Sequence, residues 1–167
     1  VQHVDYQFAT PTTRVWFDLF KSGKATEAQS IFWRVPKAPE ELYDLTTDPD
    51  EVKNLAASPQ QQEVLAKFRK AQSDLATRIR DVGFLPEGEI HSRSAGSAPY
   101  TMGHDDAKYP FARVFATADL ASNLQPDALP ELRRRLADPD SAVRYWAALG
   151  VLMRGKEAVA TARTDLQ

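Results

Sequence analysis

The 167-residue sequence contains no cysteine, which excludes disulfide bonds, thiolate metal sites and a cysteine nucleophile within the chain. It also lacks any apolar run close to the roughly twenty residues that a membrane-spanning helix needs, so we expect no membrane span. The net charge is only -2, so nothing favours nucleic acid or an anionic membrane as a general partner. The remaining composition, 43% hydrophobic and 26% charged, is typical of a globular chain with a modest core.

The clearest local pattern lies between Pro39 and Ala56. Residues 41–45 alternate in the way that a short, partly buried strand requires. The Asp48-Pro49 pair that follows predicts a helix start, with Asp48 as the N-cap and Pro49 at the first helical position. A second helix start is predicted at Ser58, where a proline again follows directly.

The longest predicted helix covers residues 59–82. Its apolar residues recur at spacings of three and four, namely Val64, Leu65, Phe68, Ala71, Leu75, Ile79 and Val82. Gly83 is the expected C-terminal cap residue. A lone strand at 41–45 cannot satisfy its own backbone groups, so we expect its partners to come from elsewhere. The sequence therefore predicts a mainly helical fold with a small β element, of the α+β class.

The second half of the chain changes character twice. Residues 84–109 lose apolar periodicity and predict an irregular connection, with a short helix at 86–93 as an alternative. Residues 110–167 are again helical, and the part from Leu129 to Leu152 resembles one HEAT-type repeat. A single unit of this kind leaves an apolar face uncovered, so we expect a truncated array that continues with further repeats.

A longer motif, E-L-Y-D-L-x-x-D-P-x-E-x-x-N-L, combines the predicted strand, the Asp-Pro turn and an Asn-Leu pair. It is carried by Glu41, Leu42, Tyr43, Asp44, Leu45, Asp48, Pro49, Glu51, Asn54 and Leu55. The motif resembles the C-terminal subdomain signature of the type I sulfatases, which are alkaline-phosphatase-like hydrolases. The resemblance implies that residues 1–83 are part of that subdomain and that the chain is a C-terminal fragment of a sulfuric ester hydrolase.

In that family a formylglycine, made from the first residue of a C/S-x-P-x-R motif, attacks sulfur beside a bound calcium ion. This sequence contains neither form of the motif and no convincing counterpart of the family's metal-binding pairs. We therefore assign no catalytic, cofactor-binding or metal-binding residue, and expect formylglycine and calcium in a missing N-terminal part. The resemblance also implies two partners, the remainder of the catalytic domain and a sulfated substrate, and a periplasmic or secreted location.

Two histidines are weaker candidates for chemistry. His104, followed by Asp105 and Asp106, could form a hard-metal or proton-transfer cluster, although we favour a polar loop with a hydrogen-bonded histidine. His3 with Asp5 could approach an active site from the side, although we favour an ordinary structural pair.

Basic and aromatic residues give two further candidates. The run Arg133–Arg135 could grip phosphate, but nearby acidic residues favour a solvated helix face. Trp16, Trp33 and Trp146 could stack on sugar rings, but core or interface packing is the role we expect for all three.

Two other functions compete with the sulfatase fragment. The chain could be a non-enzymatic helical-repeat interaction module in which residues 41–45 are incidental, although a solenoid has no use for a strand and an Asp-Pro turn. It could also be a free-standing hydrolase that uses His104, which predicts activity from this chain alone and its loss in His104→Ala.

Overall fold

A computed structural model describes residues 4–166, and the chain divides into two compact units, Val1–Ala66 and Lys67–Gln167. This division falls inside the longest helix, whereas the sequence placed its first boundary after Gly83. The α-helices of the described residues are α1 (Asp5–Ala9), α2 (Pro11–Lys21), α3 (Glu27–Ser30), α4 (Gln62–Ile79), α5 (Glu87–Arg93), α6 (Pro99–Gly103), α7 (Phe111–Ser122), α8 (Leu129–Arg135), α9 (Ser141–Met153) and α10 (Lys156–Thr161). Short 3₁₀ turns lie at Ile31–Trp33, Pro59–Gln61, Val82–Phe84 and Pro126–Ala128.

The predicted α+β class is wrong, because no residue from 4 to 166 forms a β-strand. In the segment predicted as a strand, residues 41–44 have no regular secondary structure and Leu45 begins a turn, and the backbone of Leu42 bonds to Asn54 and Leu55. The amide N–H of Leu42 donates to Asn54 Oδ1 at 3.0 Å, and Asn54 Nδ2 donates to the Glu40 carbonyl at 3.0 Å. The Leu55 N–H completes this arrangement by donating to the Leu42 carbonyl at 2.7 Å. Because these groups are satisfied locally, the segment does not need a neighbouring strand on this side.

The predicted helix start at Asp48 is a tight turn instead. Asp48 does cap backbone amides, since Oδ1 accepts from Val52 N–H at 3.1 Å and Oδ2 from Lys53 N–H at 2.8 Å. Glu51, however, has φ of 52°, in the left-handed region that no α-helix continues through. No helix therefore continues through Glu51, and the next helical turn begins at Pro59.

The first unit is built around Trp33, which is only 5% exposed. The rings of Phe8, Trp16, Phe17 and Phe32 surround it, with centroids between 4.8 and 6.0 Å from the Trp33 centroid. Edge-to-face and tilted arrangements of this kind are the favourable geometries for aromatic pairs. This cluster places α2 against α3 and the 3₁₀ turn that follows it.

Helix α4 ends earlier than the sequence indicated. It stops at Ile79 because Arg80, with φ of 50°, takes the left-handed conformation that was expected of Gly83. The Arg80 guanidinium stabilises this end, since it donates to the carbonyls of Gly103 at 2.5 Å and Tyr109 at 3.0 Å.

Residues 84–109 contribute to the core of the second unit and are more helical than expected. They contain α5, where the sequence allowed a short helix, and also α6. Met102 and Tyr109 are both fully buried, and the Tyr109 hydroxyl donates to the Asp81 carbonyl at 2.6 Å. Burial raises the pKa of Tyr109 well above its ordinary value. The segment is therefore part of the packed structure.

The core of the second unit has two clusters, one that joins α4, α6, α7 and α9 and another that joins α7, α8, α9 and α10. Its fully buried side chains include Val114, Leu132, Val143 and Val151. Gly150 allows α9 to approach its neighbours closely, because a Cβ there would lie 2.9 Å from Ala121 Cβ. Across residues 4–166, no helix is both long and apolar enough to cross a lipid bilayer.

Candidate functional site

The segment that carries the sulfatase-like motif is held by polar contacts. We call the three hydrogen bonds that join Asn54 and Leu55 to Glu40 and Leu42 the asparagine clamp. The sequence motif contained three of these four residues, all but Glu40, but it did not show that the asparagine side chain bonds to the backbone of residues 40 and 42. Asn54 Oδ1 also accepts from Ala56 N–H at 2.9 Å, so the clamp fixes the next bend too.

The ionisable groups of this segment do not form a catalytic set. Hydrogen bonds from the Thr46 backbone and from the Thr46 and Thr47 side chains hold the pKa of Asp44 below its ordinary value. Burial and the negative charge of nearby carboxylates, first that of Glu41, raise the pKa of Tyr43. Tyr43 therefore stays protonated at neutral pH and cannot act there as a base. The arrangement fixes a backbone conformation.

The structure gives the three residues of the His104 cluster separate partners. His104 Nδ1 lies 2.8 Å from the Tyr100 carbonyl, and the two rings are 4.3 Å apart. Asp105 Oδ1 accepts from Ala107 N–H at 2.9 Å, while Asp106 pairs with Arg80 at 2.6 Å. Within residues 4–166 no group of three or more His, Asp and Glu side chains is arranged to hold a metal ion. These contacts agree with the polar loop that we favoured.

The His3–Asp5 pair stays a prediction, because His3 lies outside the described residues. Asp5 is the first residue of α1.

The arginine run Arg133–Arg135 is largely neutralised by carboxylates. Arg133 pairs with Asp165 at 2.5 Å, and both following arginines pair with Glu131 at 2.6 Å. Hydrogen bonds from these two arginines, with that of Arg135 first, lower the pKa of Glu131. Arg135 also donates to the hydroxyl of the buried Thr117 at 2.7 Å, so it points inward. The contacts describe ion pairing within the second unit, with no free arginine cluster for a phosphate.

All three tryptophans have packing roles. Trp33 is the centre of the aromatic cluster, and Trp16 Nε1 donates to the Gln29 carbonyl at 2.7 Å. Trp146 is half-buried and its Nε1 donates to the Phe84 carbonyl at 2.7 Å. These contacts fit the packing role expected from the sequence.

A polar cluster that sequence analysis missed lies around Arg93. Its guanidinium donates to both carboxylate oxygens of Asp140, at 2.9 and 3.0 Å, and to Glu89 Oε2 at 2.8 Å from Nε. It also donates to the Lys108 carbonyl at 2.8 Å and to the Ser141 hydroxyl at 3.0 Å. The Arg93 side chain is only 14% exposed, at the edge of a polar cleft of about 450 Å³.

The electrostatics of this cluster indicate that it stabilises the fold, since its charged groups pair with one another. Burial would raise the pKa of Asp140, but hydrogen bonds and charge from Arg93, with the amides of Ala142 and Val143, hold that pKa below its ordinary value. Because the Nε and both terminal nitrogens of Arg93 already donate to protein acceptors, the cluster joins α5 to the start of α9. The i,i+4 spacing of Glu89 and Arg93 was the one sequence signal for it.

Two apolar surfaces remain uncovered among the described residues. On the part of α4 in the second unit, a stripe formed by Phe68, Leu75 and Ile79 is between 46% and 58% exposed. The other surface is a groove of about 710 Å³ along the end of α9 and along α10, which we call the α9–α10 groove. It is lined by Leu152, Gly155, Lys156, Val159, Ala160, Arg163 and Leu166.

Comparison with known proteins gives one informative relative. Over 87 residues, 52% of this chain, the sequence is 39% identical to an ulvan-active sulfatase from Formosa agariphila. Part of this chain is similar to a sulfatase. The matched region is only 15% of the length of that relative, so the similarity concerns a small part of the enzyme. No family model matches the chain, and no solved structure matches it.

Proposed function

We propose that the chain is a C-terminal part of a sulfatase, a sulfuric ester hydrolase, and that it supports the catalytic domain without supplying the nucleophile. The observation that carries this proposal is the 39% identity over 87 residues to a sulfatase. The motif of residues 41–55 supports it, because its Leu42 and Asn54 are joined by a hydrogen bond of the asparagine clamp, so their spacing in the motif has a structural role. Periplasmic or secreted location is part of the same proposal.

The α4 stripe is the proposed contact with the remainder of the catalytic domain. Its three large apolar side chains recur between residues 68 and 79 of α4, over about 17 Å at 1.5 Å per residue. A soluble domain rarely leaves so regular an apolar stripe exposed unless another surface covers it. Leu65 and Ala76 of the same helix are buried, so the stripe is the uncovered part of the apolar side of α4.

The cofactors of such an enzyme do not fit the residues present here. The chain has no cysteine and no S-x-P-x-R motif, so it cannot supply a formylglycine. The carboxylates that we singled out are engaged with backbone amides or arginines, as Asp105, Asp106 and Asp140 are, and the described residues offer no cluster for calcium. We place the formylglycine and the calcium ion in other parts of the parent enzyme, together with the contacts to a sulfated substrate.

Helices α7 to α10 are proposed to be part of a HEAT-type array. The antiparallel order of helices follows from the short turns between them, and Gly150 provides the close approach that stacked helices need. The exposed α9–α10 groove supports a further helix against this end of the unit.

The parent gene gives the decisive test. Under this proposal, sequence that precedes Val1 encodes a C/S-x-P-x-R motif and the carboxylates of a calcium site. Purified parent protein then hydrolyses a sulfate ester such as 4-nitrophenyl sulfate or ulvan, while the 167-residue chain alone does not. A parent without the motif, or one that is inactive after confirmed formylglycine formation, contradicts the proposal.

A separate experiment tests the α4 stripe. In the parent enzyme, Phe68→Asp with Leu75→Asp should reduce soluble yield and activity together, because the stripe would lose its cover. Exposed apolar residues on helices outside the motif, Tyr6 and Val15, provide the matched double aspartate control. Equal effects of the two double variants would argue against the stripe as the contact.

The second candidate, a non-enzymatic interaction module, is favoured by the α9–α10 groove alone. It predicts a parent gene without the nucleophile motif, so the same reading of the gene separates the two functions.

A further inference from the structure

We infer that residues 67–75 of α4, which we call the α4 stretch, open locally in this chain and become a stable helix when another surface covers them. The inference rests on the proposed function, because the cover is the catalytic domain proposed above. It adds that docking also folds the helix that docks.

The α4 stretch differs in burial from the rest of the second unit. Each of residues 67–75 is exposed, apart from the partly buried Ser73. Phe68 and Leu75 are large and apolar, yet 58% and 48% exposed. Ala76, the next residue, is only 5% exposed and belongs to the same core cluster as Met102 and Val143. Along α4, the packed core of the second unit therefore begins at Ala76.

Local interactions stabilise the α4 stretch only weakly. Its internal ion pair joins Lys70 Nζ to Asp74 Oδ2 at 2.6 Å, but the two side chains are 75% and 62% exposed, so water screens their attraction. Ser73 and Asp74 are weaker helix formers than alanine or lysine. Helices shorter than about 12 residues are marginal in water without packing. The helical and open states of residues 67–75 are therefore close in free energy.

This balance gives α4 a conformational role in docking. Phe68 and Leu75 lie seven residues apart, so they share one face only while the stretch is helical. A surface that covers this face binds the helical state and not the open state. Binding of that kind stabilises the state that is bound. The catalytic domain therefore orders the α4 stretch when it covers the stripe.

The test is native-state hydrogen exchange of the 167-residue chain, followed residue by residue by NMR. In a helix the amides of residues 71–75 donate to the carbonyls of residues 67–71, so they report on the α4 stretch. Their protection factors should be at least about a hundredfold lower than those of the slowest amides of α9, which exchange when the whole unit unfolds.

Two identical substitutions separate local from global opening. Ala71 is exposed on the α4 stretch, whereas Ala118 is 2% exposed on α7. Ala71→Gly should lower the protection of residues 72–75 about fivefold, the factor that corresponds to about 1 kcal/mol of helix propensity, and leave α9 unchanged. Ala118→Gly should lower the protection of α9 by at least as much and leave residues 72–75 unchanged.

Two results on the chain would overturn the local opening. One is protection of residues 71–75 equal to that of α9 in the unaltered chain. The other is an equal loss of protection at α4 and α9 in Ala71→Gly, which would make the α4 stretch part of the cooperative core.

The parent enzyme tests the ordering on docking. There the protection of residues 71–75 should rise toward that of α9. A parent that hydrolyses a sulfate ester but leaves these amides unprotected would refute the ordering and keep the proposed function. A parent without the nucleophile motif would refute the proposed function, while the exchange measured on the 167-residue chain would still decide whether the α4 stretch opens locally.

Discussion

The two units of this chain are stabilised in different ways. Among residues 4–66 only Trp33 and Leu65 are buried, each about 5% exposed, and much of the backbone between α3 and α4 is fixed by side chains such as Asn54 and Asp48. The second unit instead has a packed helical core in which residues such as Leu132 are completely buried. Apolar burial contributes more free energy per residue than exposed hydrogen bonds do.

Substitutions should therefore affect the stability of the two units differently. In the first unit, local hydrogen bonds determine the conformation of a surface segment, so their loss should open that segment without unfolding the rest. In the second unit, substitutions in the core or in the Arg93 cluster should lower the stability of the whole unit. Native-state hydrogen exchange distinguishes local from global opening.

The largest expected effect is that of Leu132→Ala. Removing this fully buried side chain leaves a cavity between α8 and α9, and substitutions of this type cost about 3 to 5 kcal/mol. Native-state hydrogen exchange should show this loss of unfolding free energy at the slowest-exchanging amides of α7 and α9. Leu152→Ala is the matched control, because Leu152 is 63% exposed and its truncation should change stability by less than about 0.5 kcal/mol. Equal effects at the two positions would show that residues 67–166 lack the packed core described.

The next largest effect is expected for Asp140→Asn, and its dependence on pH tests the Arg93 cluster. Because the pKa of Asp140 is held below its ordinary value in the folded state, its ionisation stabilises the fold above about pH 4. That contribution is lost as pH falls through the lower folded-state pKa. Asp140→Asn should therefore lower stability by about 2 kcal/mol at pH 7, since it weakens a half-buried ion pair with Arg93, and by less at pH 3.

The control for this pH experiment is Asp119→Asn, at an exposed position on α7. Its stability should follow that of the unaltered chain across the same pH range. If the difference between Asp140→Asn and the unaltered chain stayed constant from pH 7 to pH 3, the Arg93–Asp140 pair would not be the source of the stabilisation.

The sequence predicted the helices of the second unit better than the first unit's fold. Helical periodicity located α4, α7, α8 and α9, because each has apolar residues at spacings of three and four. Residues 84–109 gave no such pattern, since α5 and α6 are too short to show two turns of periodicity, although Tyr109 and Met102 are buried.

The error at residues 41–45 has a clear physical origin. Alternation over five residues does not reveal what the backbone bonds to, and here the Leu42 N–H and carbonyl bond to the Asn54 side chain and the Leu55 N–H instead of to a strand. The motif itself contained Asn54, but no rule of periodicity assigns an asparagine twelve residues after Leu42 as a hydrogen-bonding partner. The Arg93 cluster was missed for a similar reason, since Asp140 lies 47 residues away in sequence.

A smaller effect is expected at the asparagine clamp. Asn54→Ala removes three hydrogen bonds at an exposed segment, so the Leu42 amide should lose about 1 kcal/mol of protection while the amides of α7 keep theirs. Asn54→Asp keeps the acceptor for Leu42 N–H but removes the donor to the Glu40 carbonyl. The protection of the Leu42 amide in this variant should lie between that of the unaltered chain and that of Asn54→Ala. A global loss of stability in Asn54→Ala would break the distinction between the two units.

The smallest effect is expected at Asp48. Like Asp140, it caps two backbone amides, but it lacks the ion pair that Asp140 forms with Arg93. Both carboxylates accept from two backbone amides, yet Asp48 does so in a partly exposed turn. Asparagine caps amides about as well as aspartate does, so Asp48→Asn should change stability by less than about 0.5 kcal/mol. Because the substitution is identical at the two positions, the difference between Asp48→Asn and Asp140→Asn measures what burial and Arg93 add to an ordinary cap. If the two variants lost equal stability at pH 7, capping alone would account for Asp140, and the charged cluster would have no special part in the second unit.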